Sequence, residues 1–391
     1  MASGLRAKLN RIAANAPKAE KKPERACGVM QYASSRPMDA RLNRLDTEAL
    51  RRIGFEGNVF DIRKCLFLDT ETTGLSGGAG TVAFLVGLGW IEGDNFVVRQ
   101  YLMHDYSDEA EMLSLISDIM RSFDTCCTFN GKTFDLPLIK TRLTMCRMQE
   151  RWREFDHLDL LAPSRRTWKL RIGSCRLSRI EEFILGQGRE GDLPGSEVPQ
   201  RYFSFLKSGD ISLLDDIIDH NRQDIFTLGT LLAHLCELYA NPAQEKHKED
   251  LFSMGKALEK CGELKIAGEL YRLAAVPTRA GSISALKSGD ALSAQASWRL
   301  YLLARKNRDA EAMREILEQM ALRRQMRGEI YIELSKLYEH RYKNYRRALR
   351  YADIAAKYAP AGNMDALGKR RNRLKAKIEK EIGRKKDHGL F

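Results

Sequence analysis

The sequence predicts an α/β domain with a mixed sheet and flanking helices, followed by an all-α domain. Between residues 61 and 160, short apolar runs with the composition of strands alternate with helical segments. After Asn241-Pro242 the strand signals end and only helical patterns follow. A length of 391 residues is enough for two or three domains, which agrees with this division.

The composition indicates a globular protein with a polyanionic partner. Apolar residues make up 43% of the chain, which is enough to bury a core. The net charge of +13 favours nucleic acid as the partner over a membrane surface, because the sequence contains neither a long apolar span nor an amphipathic anchor. The eight cysteines are scattered without a C-x-x-C pair, so we expect reduced thiols in a cytoplasmic protein.

Residues 1–45 predict a basic, flexible arm. No apolar h-region follows the basic residues, so the arm is not a secretory signal. A transit-like role and a contact with nucleic acid both stay open. The cations that define the arm are Arg6, Lys8, Arg11, Lys18, Lys21, Lys22 and Arg25.

Two carboxylates at the end of an apolar strand form the first part of a candidate site. Residues 65–68 have the length and composition of a strand buried on both faces, and Asp69 and Glu71 follow. Residues two apart on a strand point to the same side. Like charges in such a place repel unless a cation lies between them, and oxygen ligands favour Mg²⁺ or Mn²⁺ over zinc. Two solvated acids in a loop are the alternative.

The strand that carries these acids belongs to a predicted antiparallel meander. Short turns separate the apolar runs, and the glycine-rich turn at 76–80 lacks the lysine of a P-loop, so we interpret it as a hairpin loop. The predicted elements are strands 65–68, 82–90 and 96–101, helix 109–123 and strand 125–129.

Two later positions supply further candidates. Pro137 predicts a helix that begins near Asp135, whose charge suits a helix N-terminus; a simple N-cap is the alternative. The helix predicted over 211–238 contains His220 and Asp224, four residues apart on one face. A histidine beside a metal-ligating aspartate can orient or deprotonate a water, whereas a surface His–Asp pair is the alternative.

In this order the motifs resemble the DEDD (DnaQ-like) 3′–5′ exonucleases, which have an RNase H-like fold. Asp-Thr-Glu-Thr-Thr-Gly-Leu at 69–75 looks like their first motif, Asn-x-x-x-Phe-Asp at 130–135 like the second, and the His and Asp of HNRQD at 220–224 like the third. The resemblance implies an RNase H-like domain over 46–242 and two Mg²⁺ or Mn²⁺ ions held by Asp69, Glu71, Asp135 and Asp224. It also implies that His220 acts as a general base, with substrate contacts from Thr70, Thr73, Leu75, Asn130 and Phe134.

The third motif departs from both branches of that superfamily. In one branch, four residues separate a histidine from the last aspartate. In the other branch, three residues separate a tyrosine from that aspartate. Here a histidine occupies the spacing of the tyrosine. This combination resembles the YprB-like RNase H-like proteins over roughly residues 60–240, as do the stretches HLDLLAPSRRTWKLRIGSCRLSRIEEFILG and DLPGSEVPQRYFSFL.

A basic segment follows a short strand predicted at 157–161. Basic residues around Trp168 suit a groove for a nucleic-acid backbone with a stacking surface, and a solvated loop is the alternative. A helix with a glycine stop is predicted over 177–186. The basic residues are Arg165, Arg166, Lys169, Arg171, Arg176 and Arg179.

Residues 243–365 predict tetratricopeptide-like (TPR-like) repeats. Segments 251–275 and 330–360 carry small and aromatic residues at the offsets of such helix pairs, and 298–321 is a weaker middle unit; plain helical packing is the alternative. Such repeats usually present a concave surface to a protein partner. Residues 366–391 predict a basic tail that could bind phosphates.

Together these features predict a metal-dependent 3′–5′ exonuclease. A structure-selective endonuclease that uses the same site is one alternative, because a fold does not fix the polarity of attack. A non-catalytic adaptor that acts through the TPR-like domain is another, although such a protein need not keep a costly carboxylate cluster. The sequence leaves DNA or RNA, the pathway, the TPR partner and the oligomeric state undetermined.

Overall fold

A computed structural model describes residues 24–26, 28–74, 80–188, 194–276, 283–358 and 364–387. The chain divides into two compact units between Asn241 and Pro242. The first unit is α/β and the second is helical, which confirms the predicted fold class. None of the helices in the described ranges combines the length and apolar character that crossing a membrane requires.

The described strands of the first unit form one seven-stranded mixed sheet in the order β1-β2-β5-β4-β3-β6-β7. Neighbours from β1 to β3 are antiparallel, whereas β3, β6 and β7 run parallel. The carboxyl ends of these last three strands therefore meet at one edge. The strands are β1 (Glu24–Ala26), β2 (Val29–Pro37), β3 (Cys65–Thr72), β4 (Ala83–Glu92), β5 (Asn95–Met103), β6 (Thr125–Thr128) and β7 (Asp156–Asp159).

The predicted meander is confirmed as β3, β4 and β5. Cys65 to Leu68 on β3 are all 0% exposed, as the unbroken apolar run predicted. Gly93 turns β4 into β5 with φ of 60°, a left-handed conformation that glycine adopts without a steric penalty. The glycine-rich turn at 76–80 lies almost entirely outside the described residues.

The prediction of a flexible arm over 1–45 is wrong for its described residues from Glu24 onward, because β1 pairs with β2. β2 pairs with β5 along its whole length, and Leu42 is buried in the 3₁₀ turn Ala40–Arg44. The basic residue Arg36 is bound within the fold, since its guanidinium donates 2.8 Å to the carbonyl of Phe226 and lies 4.3 Å from that ring's centroid. The basic and polar composition concealed this strand, and residues 1–23 lie outside the described ranges.

Helices cover both faces of the sheet. On one face, α2 and α3 pack against Leu66 and Leu68 of β3. On the other face, α7 packs on β3, β4 and β5, where Phe226 lies 5.6 Å from Phe96, ring to ring. The helices are α1 (Thr47–Ile53), α2 (Glu109–Met120), α3 (Asp135–Met145), α4 (Leu161–Ile172), α5 (Leu177–Ile180, continued by a π-turn over Glu181–Leu185), α6 (Val198–Ser208) and α7 (Asp215–Ala240).

Glycines let α7 approach the sheet closely. A Cβ atom on Gly87 of β4 would collide with the Asn221 side chain, and one on Gly89 would collide with Ile225. On the helix, a Cβ atom on Gly229 would collide with the ring of Phe96. Glycine in a strand weakens it but permits another chain segment to come near. These contacts fix the position of α7 against β3 and β4.

The second unit consists of helices that pack on their neighbours in the sequence. Its core includes Tyr301, Leu317, Leu334, Ala352 and Leu374. The helices are α8 (Lys248–Lys260), α9 (Leu264–Ala275), α10 (Ile283–Lys306), α11 (Ala310–Leu322), α12 (Arg327–His340), α13 (Tyr345–Ala356) and α14 (Met364–Asp387).

The basic tail predicted over 366–391 is a helix as far as residue 387 and packs into the second unit. Leu374 of α14 is 0% exposed, and the wholly buried side chain of Glu339 accepts hydrogen bonds from Arg370, Arg373 and Lys377 over 2.6–2.9 Å. Burial raises the pKa of Glu339, but hydrogen bonds from these cations outweigh it and lower that pKa to about 2. Glu339 carries one negative charge, so it offsets one of these three positive charges while it holds α14 against α12. Residues 388–391 lie outside the described ranges.

Candidate active site

Asp69 and Glu71 lie where β3 reaches the shared edge of the sheet. Asp69 is opposite Gly87 of β4, and Glu71 is opposite Leu85. Both side chains are half-buried and lie on the face that α7 covers, because strand residues two apart share a face. A register shift directly after Glu71 ends the regular pairing. The strand thus carries both acids to the point where three parallel strands end.

Asp135 reaches the same edge from the opposite face of the sheet. It is the first residue of α3 and is 5% exposed. The hydroxyl of Thr70, between the two acids on β3, donates to Asp135 Oδ1 at 2.5 Å. Behind it, a buried ion pair between Arg142 and Glu109 fastens α3 to α2. Thr70 was predicted to touch substrate, but its hydroxyl is engaged in holding Asp135.

The loop before Asp135 is held by Asp159 at the end of β7. One carboxylate oxygen of Asp159 accepts from the backbone N–H of Asn130 at 2.9 Å, and the other accepts from that of Lys132 at 3.2 Å. Asn130 has φ of 74°, a left-handed conformation that asparagine tolerates better than most residues. Its side-chain oxygen accepts from the Thr133 hydroxyl at 3.1 Å. The exposed Asn130 side chain is therefore displayed beside Asp135 by a fixed loop.

The third motif lies on α7 as the sequence spacing predicted. His220 Nε2 and Asp224 Oδ2 are 3.4 Å apart, and their side chains are 28% and 13% exposed. Electrostatic repulsion links Asp224 to both Asp69 and Glu71, so all three carboxylates share one site. The structure thus brings together five predicted residues: Asp69, Glu71, Asp135, His220 and Asp224.

Sequence reasoning missed Asn221 and Gln100. The wholly buried Asn221 donates from Nδ2 to Asp69 Oδ2 at 2.9 Å. Its Oδ1 accepts from Gln100 Nε2 at 2.9 Å, and that same nitrogen donates to the carbonyl of Ile218. This chain of hydrogen bonds joins β5, α7 and β3, and it orients the amide of Asn221 towards Asp69. Gly87, which leaves room for Asn221, was the signal available in the sequence.

Other predicted contacts have mixed outcomes. Phe134 is half-buried at the start of α3, and Thr73 accepts from the Val82 N–H with its hydroxyl at 3.0 Å. Leu75 lies outside the described residues. The predicted stacking role of Trp168 is wrong, because its ring is 1% exposed and packs against His234.

The basic segment around Trp168 forms α4 rather than a loop. Arg165 and Lys169 are exposed on it. Thr167 bonds to the hydroxyl of Tyr239 at 3.0 Å, and Tyr239 lies fifteen residues beyond Asp224 on α7. At a rise of 1.5 Å per residue this separates the two positions on α7 by about 22 Å. The middle of α4 is therefore well away from the carboxylates.

Burial raises the pKa values of Asp69, Glu71 and Asp135, and repulsion from neighbouring carboxylates adds to it for Asp69 and Glu71. Loss of hydration, and then the charges of Asp224, Asp135 and Glu71, hold the pKa of Asp69 well above its ordinary range. The same causes raise the pKa of Glu71 to about 8. Burial raises the pKa of Asp135 to about 6, despite the hydrogen bond from Thr70. A cation is the natural counterpart of such a cluster.

Comparison with known proteins places this geometry in a family. Residues 66–236 match RNase_H_2 of the RNase_H superfamily. The chain is 32% identical over 294 residues to "Uncharacterized protein YprB" of Bacillus subtilis (strain 168), a match that covers 73% of this chain and 68% of that protein. The chain belongs to the YprB family within the RNase H superfamily.

A solved structure is also similar, although only in part. The family B DNA polymerase of the archaeon Pyrobaculum calidifontis matches with 13% sequence identity and a TM-score of 0.36. The match covers 63% of this chain but only 30% of the polymerase.

The residues at the site fit a hard divalent cation. The donor set is oxygen-rich and partly buried, and burial raises the pKa values of Asp69, Glu71 and Asp135, which suits Mg²⁺ or Mn²⁺. Within the described ranges, no three His, Cys, Asp or Glu side chains are arranged to hold one ion. Mg²⁺ usually takes one or two carboxylates and completes its shell with water and substrate phosphates. Asp69, Glu71, Asp135 and Asp224 could supply such partial shells.

The raised pKa values predict how the metal-free protein responds to pH. The folded state keeps protons on Glu71 and Asp135 that the unfolded chain releases near about pH 4. In EDTA, the contribution of these two groups to thermal stability should therefore be most favourable below about pH 4 to 5. It should become less favourable as the pH rises towards about 8. Mg²⁺ or Mn²⁺ should raise the melting temperature most at the alkaline end, which differential scanning fluorimetry would measure.

Glu71→Gln is the control for that pH dependence. Removing this charge should flatten the fall in stability between about pH 5 and 8, because fewer carboxylates must then ionise together. A metal-free melting temperature that is constant or rises over this range in the wild type would contradict the electrostatic account. So would an equal effect of the metal ion at both ends of the range.

Asn221→Ala should weaken both the fold and the binding of metal ions. The substitution leaves Gln100 Nε2 without its acceptor on Asn221 and Asp69 without its donor. Gln100 keeps its bond to the carbonyl of Ile218, so the loss is that of two hydrogen bonds, each typically worth about 0.5–1.5 kcal/mol. We expect a lower free energy of unfolding in urea and a smaller stabilisation by Mn²⁺. The exposed Gln200→Ala is the control, and wild-type values for Asn221→Ala in both measurements would refute a positioning role.

Proposed function

We propose that this protein is a metal-dependent 3′–5′ exonuclease that hydrolyses nucleic-acid phosphodiesters. Membership of the RNase H superfamily supports a nuclease or another nucleic-acid-processing activity. The observation that carries the proposal is the meeting of Asp69, Glu71 and Asp135 with the His220–Asp224 pair at one edge of the sheet. No simpler role accounts for four acids gathered where their charges repel.

Each residue has a distinct task in this proposal. Asp69, Glu71, Asp135 and Asp224 would hold two Mg²⁺ or Mn²⁺ ions. When bound, such ions supply the positive charge that a phosphodiester and its departing oxygen require during hydrolysis. His220, 3.4 Å from Asp224, would accept the proton of the attacking water at Nε2. Asp224 would keep the imidazole oriented towards the cluster.

The end of the substrate strand would lie on the loop before α3. Asn130 is exposed there, and Asp159 fixes its backbone. We propose that Asn130 contacts the sugar-phosphate backbone and that Phe134 packs against the terminal base. Thr73 would contact the substrate from the end of β3, while Thr70 would act through Asp135. DNA and RNA share the phosphate and base chemistry that these groups recognise.

The helical unit would add a partner-binding function to this enzyme. Its successive helix pairs α8–α9, α10–α11 and α12–α13 support a TPR-like arrangement, and such repeats bind protein segments. A cytoplasmic location agrees with the unpaired thiols of the described cysteines, which include Cys65, Cys126 and Cys127. The carboxylate cluster favours an enzyme over a protein that acts only as an adaptor.

Strand polarity tests the proposed activity. Purified protein with Mn²⁺ or Mg²⁺ should shorten a 5′-labelled oligonucleotide stepwise from its 3′ end, and a 3′-terminal block should stop the reaction. Single-stranded and double-stranded DNA and RNA should each be tested, resolved on denaturing gels. EDTA, or the variant Asp69→Asn, should abolish cleavage, because the ions lose their ligand.

The outcomes separate the alternative activities. Cleavage at internal positions that ignores the 3′ block would favour the structure-selective endonuclease. A folded protein that cleaves none of these polymers would favour the adaptor. Cleavage by Asp69→Asn at the wild-type rate would contradict the two-ion assignment.

His220 should be important for the rate but not for metal binding. General-base catalysis typically contributes about 10²–10⁴-fold. His220→Ala should therefore lose activity on that scale while Mn²⁺ still raises its melting temperature. His220→Tyr should retain more activity than the alanine variant, because a phenol can still orient a water. Single-turnover rates measure both effects, and a near-wild-type rate for His220→Ala would leave this residue with a packing role.

A further inference from the structure

A groove between α13 and α14 in the helical unit has the character of a polyanion site. It encloses about 480 Å³. Leu349 and Ile354 of α13, with Ile378 of α14, form its apolar surface. Its polar lining is strongly basic and contains Arg346, Arg350, Asp353 and Lys357. The groove belongs to the second unit alone and includes none of the carboxylates described above.

The cations of this groove differ from their neighbours in having no acidic partner among the described residues. Several neighbouring cations of α14 have acidic partners: Arg371 is paired with Asp353 at 2.6 Å, and Glu339 is shared by Arg370, Arg373 and Lys377. By contrast, Arg346, Arg350 and Lys357 are exposed and form no ion pair with another described residue. Asp353, the acid among the described lining residues, is thus already engaged. Within the described part of the chain, three positive charges are left without an ion-pair partner.

Arg346 and Arg350 of α13, with Lys357 at its C-cap, form a row along one side of that helix. Positions four and eleven residues apart on a helix are separated by only about 20–40° around its axis. Arg346, Arg350 and Lys357 therefore follow the helix over about 16 Å. Such a row matches a chain of regularly spaced negative charges better than a single anion.

We propose that this groove binds the phosphate backbone of a nucleic-acid strand, which rests on the proposed nuclease function. Two of the three cations are arginines, whose planar fork bonds phosphate oxygens in pairs. Tyr358, the residue after Lys357, is 46% exposed and lies 6.3 Å from the Tyr331 ring in a stacked pair. Tyr358 is not part of the groove lining, but it adjoins Lys357 in the chain and offers a base a stacking surface at that end of the row. A nucleic-acid strand carries a base beside every phosphate, so it can use the cations and this ring together.

Salt-dependent binding tests the groove separately from catalysis. The full-length protein would be titrated into fluorescein-labelled oligothymidylate in EDTA, with anisotropy followed at several salt concentrations. Each phosphate contact to a single strand contributes about 0.7 to the slope of log K against log salt. R346Q/R350Q/K357Q should lower that slope by about 2 and weaken binding at least about 10-fold at low salt. R350Q alone should lower the slope by about 0.7.

The control variant is K260Q/R324Q/K306Q, which removes the same charge from exposed positions of the same unit outside the groove. It should keep nearly the wild-type slope. Equal losses for the two triple variants, or an unchanged slope for the groove variant, would overturn the proposal. So would equally strong binding of fluorescein-labelled poly-glutamate, which would favour an acidic protein segment.

Cleavage assays distinguish this inference from the proposed function. The groove variant should still degrade oligonucleotide at saturating concentration, because its carboxylates are intact. If the wild type cleaves but the groove variant binds as well as the wild type, only the groove assignment fails. If the wild type neither binds nor cleaves any nucleic acid, both proposals fail together.

Discussion

The repulsion among the acids at the end of β3 is the constraint on which the first unit depends. Asp69 and Glu71 are held there by a strand whose preceding residues are wholly buried, so they cannot move apart into solvent. Their pKa values are raised because water is excluded and because Asp135 and Asp224 are near. Such an arrangement of carboxylates favours the binding of a cation. The sheet therefore holds these repelling carboxylates at the end of a strand whose preceding residues are buried.

Two helices place further side chains at this site from opposite faces of the sheet. α7 packs against β4 at Gly87 and places Asn221, His220 and Asp224 together, so one helix supplies both a candidate metal ligand and a candidate base. α3 delivers Asp135 from the other face, where the Thr70 hydroxyl receives it. The buried amide of Asn221 is a donor that stabilises charge on Asp69, in opposition to its carboxylate neighbours. Positioning and charge are therefore controlled by different residues.

Elements with a strong hydrophobic period were predictable from the sequence, and those defined by partners elsewhere in the chain were not. The buried run of β3 and the spacing of His220 and Asp224 depend on local periodicity alone. The strand β2 was missed because its Arg36 is held by Phe226, which is distant in the sequence. The helix α14 was missed because its cations pair with the negative charge of Glu339, which lies on another helix. Asn221 adjoins His220 in the motif, yet only the contact with Asp69 reveals its role.

Metal binding by the carboxylates is the central claim, and direct counting of bound Mn²⁺ tests it most sharply. Electron paramagnetic resonance with a cleavage-resistant oligonucleotide should find two Mn²⁺ ions per wild-type chain. Asp224→Asn should lose at least one of them, whereas the exposed Asp94→Asn, in the turn between β4 and β5, should keep both. Equal numbers of ions on the wild type and Asp224→Asn would contradict the assignment of Asp224 as a ligand, and a wild type that binds no Mn²⁺ would contradict the account as a whole.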